Sequence, residues 1–233
     1  MATSTQSFAH YMWLETAPVG KLNKSHAVKV KFGEYTYGVI EKTAGDTFKS
    51  ASDFSLFVIY PDGSKKTLEV TAKEDHFLAY FTPSGKGTYT VAMDNKTMDV
   101  LDFTQYDFGI FKPQYHAKTK VVVGRQASEL QTTNKEGIEV IDFTQNLLGT
   151  TVEVSLKVLF KGEALKENEV TIYISDLWSK KLTTDADGMI TLKLPWNTLY
   201  TLETTFNETV PGSFNGTDYE FIWHCATYSI ALQ

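Results

Sequence analysis

His10 is the residue whose surroundings point most directly to chemistry. It lies in Ser7-Phe8-Ala9-His10-Tyr11-Met12-Trp13-Leu14-Glu15. Ser7 and Ala9 are small residues at the spacing a bacterial signal peptidase reads before the bond it cuts. A cut after Ala9 makes His10 the first residue of the mature chain. It would then carry an imidazole and a free amine on one residue, a chelating pair for a transition metal. A free α-amine in general titrates near ~8 and an imidazole near ~6.5, within reach of neutral ligand forms at neutral pH. With residues before it retained, the amine is an amide and half the chelate is lost. Read alone, the pattern is better explained by chance, with His10 starting a strand.

The other histidines are His26, His76, His116 and His224. None are two or four residues apart, so there is no local metal motif, and a site must be assembled from distant strands. His224 lies in a terminal strand beside Cys225, and neighbours along a strand face opposite ways. The two should therefore not share a metal, and Cys225 reads as a small buried hydrophobe. His116 has the parity of Lys118 and Lys120, which suggests a solvent-facing side that disfavours a cation. His26 reads as a rim residue and His76 as solvated. Glu15, near His10, and Glu34, after Gly33, are the carboxylates to watch. Asp185 and Asp187 read as turn caps, since an EF-hand series of oxygen ligands is missing. There is no Gly-rich phosphate loop, nucleophile elbow or zincin helix, so the expectation is a non-enzyme.

The chain that must position these groups has 233 residues and net charge -6. That length accommodates one large domain or two modest ones. The acidic balance argues against nucleic acid and against a polybasic membrane contact, and no apolar run is long enough to span a bilayer. One cysteine excludes an internal disulfide framework. Aromatic, Thr and Val content favours strands.

Apolar residues alternate with polar ones at Val28, Val30 and Phe32, predicting a strand with a solvated outer face. Phe54 to Tyr60 reads as a central strand, stopped by Pro61-Asp62-Gly63. Leu68 to Ala72, Phe77 to Phe81, Tyr89 to Met93 and Val121 to Val123 follow. A helix is possible over Asp102 to Phe111. Residues 125–148 change to a polar composition and read as a linker or long loop. Alternation resumes from Val152 to Phe160, Val170 to Ile174, Ile190 to Leu194, Tyr200 to Thr204 and Phe221 to Leu232. Short strands without helical period predict an all-β fold of two tandem immunoglobulin-like β-sandwich domains, at 10–124 and 149–233.

The start Ala9-His10-Tyr11-Met12-Trp13-Leu14-Glu15 resembles the mature start of periplasmic NikM-like proteins, nickel or cobalt uptake accessories otherwise of unknown function. Tyr115-His116-Ala117-Lys118-Thr119 is similar to the strand ending their first domain. Val158 to Leu165, with Thr184-Asp185-Ala186-Asp187-Gly188, resembles their second domain, a transthyretin-like or carboxypeptidase-regulatory-like sandwich. His224-Cys225-Ala226-Thr227-Tyr228 is similar to their final strand. The resemblance implies export through a removed signal peptide to the periplasm or the outer membrane. It also implies a bound divalent transition metal, nickel or cobalt, with copper or zinc as alternatives. The expected ligands are His10, His224, His116 and Glu15, and the expected partner is a membrane metal-uptake system. Two other readings stay open: an adhesion or carbohydrate-binding module without metal, and a copper protein using an N-terminal His chelate.

Overall fold

The computed structural model describes residues 10–124, 131–144, 152–175 and 177–232. The fold is all-β, as the alternation predicts. Helical structure among the described residues is one α-helix at Asp46–Ser50 and two 3-10 turns, Tyr35–Tyr37 and Thr104–Tyr106. The helix considered over Asp102 to Phe111 is only the second of those turns, and the chain is extended again from Ile110.

One wide sheet runs through the molecule. Its order is Ser179–Thr183, Glu169–Tyr173, Leu199–Glu208, Phe221–Ala231, Ile110–Val123, Gly87–Asn95, Ser55–Ile59 and Lys65–Thr67. At its centre Ile110–Val123 and Phe221–Ala231 pair in parallel, with Gln114 opposite His224 and His116 opposite Ala226. This pairing places strands from both halves of the chain in a single sheet, so the two sandwiches are fused along it.

Side-chain alternation on these central strands divides the core in two. Tyr115, Ala117, Trp223 and Cys225 face a cluster with Met12, Leu14, Val28, Val30 and Phe32. Ala226, Tyr228 and Ile230 face a second cluster with Ile138, Val140, Val154 and Leu156. The first face is covered by a sheet of Tyr11–Thr16, His26–Glu34, Phe77–Phe81 and Thr71–Ala72, with Val39–Ile40 beside His26–Glu34. The second is covered by Ile138–Asp142, Val152–Phe160, Glu163–Ala164 and Met189–Leu194.

Three expectations change. Within the stretch read as a linker, Ile138–Asp142 is a fully buried strand paired with Val152–Phe160; residues 125–130 and 145–148 lie outside the described residues. His116, Lys118 and Lys120 do share a face, but it is not solvent-facing: His116 is 3% exposed and Lys118 4%. Carboxylates cover them, with Asp94 on His116, Glu139 on Lys118 and Asp142 on Lys120. Lys31, expected on a solvated face, is 9% exposed and lies 3.4 Å from Glu15 and 3.7 Å from Asp75. Long lysine stems can be buried when the ammonium meets a carboxylate, which period-two reading does not register.

The turns follow their residue chemistry. Gly63 after Pro61-Asp62 has φ +83°, and Asp62 accepts the amide of Ser64. Asp185 Oδ1 accepts the amides of Asp187 and Met189 at 2.9 and 2.8 Å, which is the capping role read for it.

Candidate functional site

His10 immediately precedes Tyr11–Thr16, and Tyr11 pairs with Gly33, so the antiparallel register carries His10 opposite Glu34. Gly33 also pairs with Ile40, and the Glu41 amide donates to the Phe32 carbonyl at 2.9 Å. Glycine is required at this return. Gly33 has φ +143°, and a Cβ there would sit 2.2 Å from the Val39 carbonyl oxygen. The close approach of Val39–Ile40 delivers a third side chain, Glu41, to the imidazole.

The ring of His10 is flanked on both edges. Nε2–H donates to Glu41 Oε1 at 2.8 Å, while Nδ1 is 3.6 Å from Glu34 Oε1. The side chains of His10, Glu34 and Glu41 are 22, 17 and 24% exposed. The ring leans on Phe32 at 5.5 Å between centroids. Phe32 in turn meets Tyr115 of the wide sheet edge-on. The site therefore sits at the open rim of the first core, half-buried but reachable.

Glu203 lies inward of this rim, on the same face of the wide sheet as Cys225. Burial pushes its carboxyl up to about 7, against the hydrogen bonds it receives from Tyr173 and Cys225. The charges of Glu169 and Glu34 add to the rise. The Cys225 thiol donates to Glu203 Oε1 at 3.8 Å, and burial raises its own pKa well above the usual thiol range. Cys225 is thus buried, as expected, and faces away from His224, with its thiol donating to Glu203. Tyr11 stacks on Tyr173 at 5.9 Å and ties the first strand to this layer.

The other predicted ligands do not converge on His10. Glu15 accepts from the Trp13 indole at 3.0 Å and pairs with Lys31, so its charge is already met. His116 and His224 lie on the opposite face of the wide sheet. They are on neighbouring strands, offset by two residues, and each ring has its own carboxylate. His116 Nδ1–H donates to Asp94 at 2.6 Å, and His224 Nε2–H to Glu208 at 2.9 Å. Burial lowers the pKa of His224, partly offset by Glu208. His26 is a buried rim residue whose Nε2 meets Thr16 and the Ala17 carbonyl. His76 is half-buried rather than solvated and donates to Asp75 at 2.6 Å.

Among the described residues, no group of three or more His, Cys, Asp or Glu side chains is arranged to hold a metal ion. At His10 the reason is geometric: the two carboxylates approach different ring nitrogens, and one ion can take only one of them. The donor set still fits a site in which the roles are divided. An α-amine chelates through Nδ1 of its own histidine, and Nδ1 is the edge that Glu34 faces. A metal-bound histidine commonly donates its other N–H to a carboxylate, which fixes the tautomer, and Glu41 occupies that place. Glu34 was visible in the sequence as a strand-end carboxylate. Glu41 was not, because only the glycine-enabled return of the chain brings it to His10. Ser7 and Ala9, of the cleavage pattern, lie outside the described residues.

A family model described as Domain of unknown function (DUF4198) matches residues 7–208. No curated protein matches the chain. Among solved structures, it is similar to a DUF4785 family protein from Legionella pneumophila, with 9% identity and a TM-score of 0.31. That match covers 82% of this chain and 52% of the other, so this chain spans about half the length of that protein. It is also similar to a structure of a 1.5-MDa bacterial ice-binding adhesin, with 12% identity and a TM-score of 0.28. That match covers 97% of this chain and 66% of the other.

Proposed function

We propose, from the premise that this chain belongs to the DUF4198 family of domains of unknown function, that it binds a divalent transition metal at His10. One observation carries the reading: His10 Nδ1 faces Glu34 at 3.6 Å while Nε2–H is held by Glu41 at 2.8 Å. In the mature form the α-amine and Nδ1 of His10 chelate the ion, Glu34 adds a carboxylate oxygen, and Glu41 orients the ring. The metal is nickel or cobalt in the NikM-like reading. Two nitrogens and a carboxylate also suit copper(II), and zinc takes the same donor types. The protein is then a periplasmic accessory that passes its ion to a membrane uptake system, and no chemical step is required of it.

Calorimetric titration of Ni²⁺, Co²⁺, Cu²⁺ and Zn²⁺ tests this on protein starting at His10 and on protein retaining residues 1–9. The expected result is one ion per chain, weakened when the preceding residues are kept and abolished by His10→Ala. Glu34→Gln should weaken binding and Glu41→Gln should weaken it less. Absence of binding by both forms, or binding indifferent to His10→Ala, overturns the proposal.

A further inference from the structure

The opposite face of the wide sheet carries a second constellation, which the metal reading does not use. Asp94 is the last residue but one of the strand Gly87–Asn95, and Lys120 of the neighbouring strand pairs with Thr90. The same antiparallel register sets Asp94 across from His116. His116 Nδ1–H donates to Asp94 Oδ1 at 2.6 Å, and Nε2 lies 2.9 Å from Thr133 Oγ1. Acid, imidazole and hydroxyl thus stand in the order and at the distances of a hydrolase relay. The imidazole is buried, and Thr133 is partly exposed in the loop leading to Ile138–Asp142.

The loop is pinned in place. Gly137 packs so closely on the sheet that a Cβ would be 3.0 Å from His224 Nδ1 and 2.9 Å from Asn134 Nδ2. Glu139 Oε2 accepts the Thr133 amide at 2.9 Å. The Thr133 hydroxyl has one proton and two acceptors in reach, His116 Nε2 at 2.9 Å and Glu139 Oε2 at 3.1 Å. Glu139 Oε2 already takes the Thr133 amide and the Lys118 ammonium, which leaves the shorter contact to imidazole. The backbone amide of Asn134, a residue held by its side-chain bond to the Ile138 carbonyl, comes next after the hydroxyl. That is the position from which a relay nucleophile's neighbour donates to a developing oxyanion. Thr16 and His26 supply a contrast within the molecule. They are 2.8 Å apart, but among the described residues no carboxylate backs that imidazole, and Thr16 also donates to the Ala27 carbonyl.

We propose that Asp94, His116 and Thr133 form an acyl-transfer site that cleaves small activated carboxylic esters. Thr133 Oγ attacks the ester carbonyl carbon as its proton passes to His116 Nε2. The bond to the leaving oxygen breaks, and the imidazolium returns the proton to that oxygen. Water then attacks the acyl-threonine, gives its proton to Nε2, and releases the carboxylic acid with the Thr133 hydroxyl restored. Asp94 holds the imidazole in the tautomer with Nε2 free and stabilises its charged form.

The test uses the full chain with p-nitrophenyl acetate, following p-nitrophenol release and mapping acetyl groups by peptide mass spectrometry. Expected are release above the buffer rate and acetyl on Thr133 in quenched samples. Thr133→Ala should abolish both, and Thr133→Ser should retain them. Asp94→Asn should slow release at least ~100-fold, since losing the acid of a relay costs up to ~10⁴. Far-ultraviolet circular dichroism confirms that each variant is folded, and Thr133→Ala decides the matter alone if Asp94→Asn is not. Release at the buffer rate, acetyl confined to lysines, equal labelling of Thr16 and Thr133, or turnover indifferent to Thr133→Ala would each overturn the proposal.

Discussion

Replacing Lys118 by Met should be among the most damaging conservative-volume changes in this protein. The Lys118 ammonium donates to Glu139 Oε2 at 3.1 Å and to the Gln131 carbonyl at 2.8 Å. Glu139 is 0% exposed, and among the described residues its Oε1 has no hydrogen-bond partner. Without the ammonium, a buried carboxylate retains only the Thr133 amide as a donor to that oxygen. Breaking a buried pair from one side costs about 3–5 kcal/mol. That is a large share of the ~5–15 kcal/mol that typically holds a domain together. The double variant Lys118→Met/Glu139→Leu removes both charges together, so neither is left buried and unpaired. It should return to within about 2 kcal/mol of the parent, the remainder being the Thr133 amide left without its acceptor. Urea unfolding followed by tryptophan fluorescence reads both effects, with unchanged m-values confirming the same transition. A loss below about 1 kcal/mol for Lys118→Met, or a double variant weaker than the single one, would show that this pair is hydrated rather than buried.

The same pair explains what the sequence could and could not disclose. Alternation at Val28 to Phe32, Val152 to Phe160 and Ile190 to Leu194 identified core strands because a covered face needs only period two. It missed Ile138–Asp142, where Glu139 and Asp142 interrupt an apolar run and look solvated until Lys118 and Lys120 are placed opposite them. It also could not anticipate that Ile110–Val123 and Phe221–Ala231 pair in parallel across about a hundred residues, since that depends on non-local contact. Opposite facing of His224 and Cys225 followed from parity alone. The neighbours of His10 were half legible: register places Glu34 beside it, whereas Glu41 arrives only through the return at Gly33. The chemistry at Thr133 was illegible, because nothing local links residues 94, 116 and 133.

Three further predictions concern single residues. Removing the acceptor in the exposed turn, Asp185→Ala, should cost about 1 kcal/mol by urea unfolding. Glu203 has its pKa raised from 4.5 to about 7, so its stabilising contribution is complete below pH 4.5 and is lost as pH rises through 7. At 1.36 kcal/mol per pH unit that loss is about 3 kcal/mol. The gap between parent and Glu203→Gln should therefore swing by about that much in the variant's favour from pH 4.5 to 8, and a constant gap would refute the shift. Gly33→Ala joins stability to the metal site. Its Cβ would lie 2.2 Å from the Val39 carbonyl oxygen at φ +143°, so backbone must move and about 1–3 kcal/mol should be lost. The movement takes Val39–Ile40 away from His26–Glu34 and draws Glu41 off His10 Nε2, and lost orienting partners weaken metal binding ~10–100-fold. Gly63→Ala is the matched control, with φ +83° and, among the described residues, no atom within 4 Å of the added Cβ. It should strain its turn without touching the ion. If both variants lose stability but both titrate with metal like the parent, then Glu41 does not orient His10, and the metal reading must stand on the amine, Nδ1 and Glu34 alone.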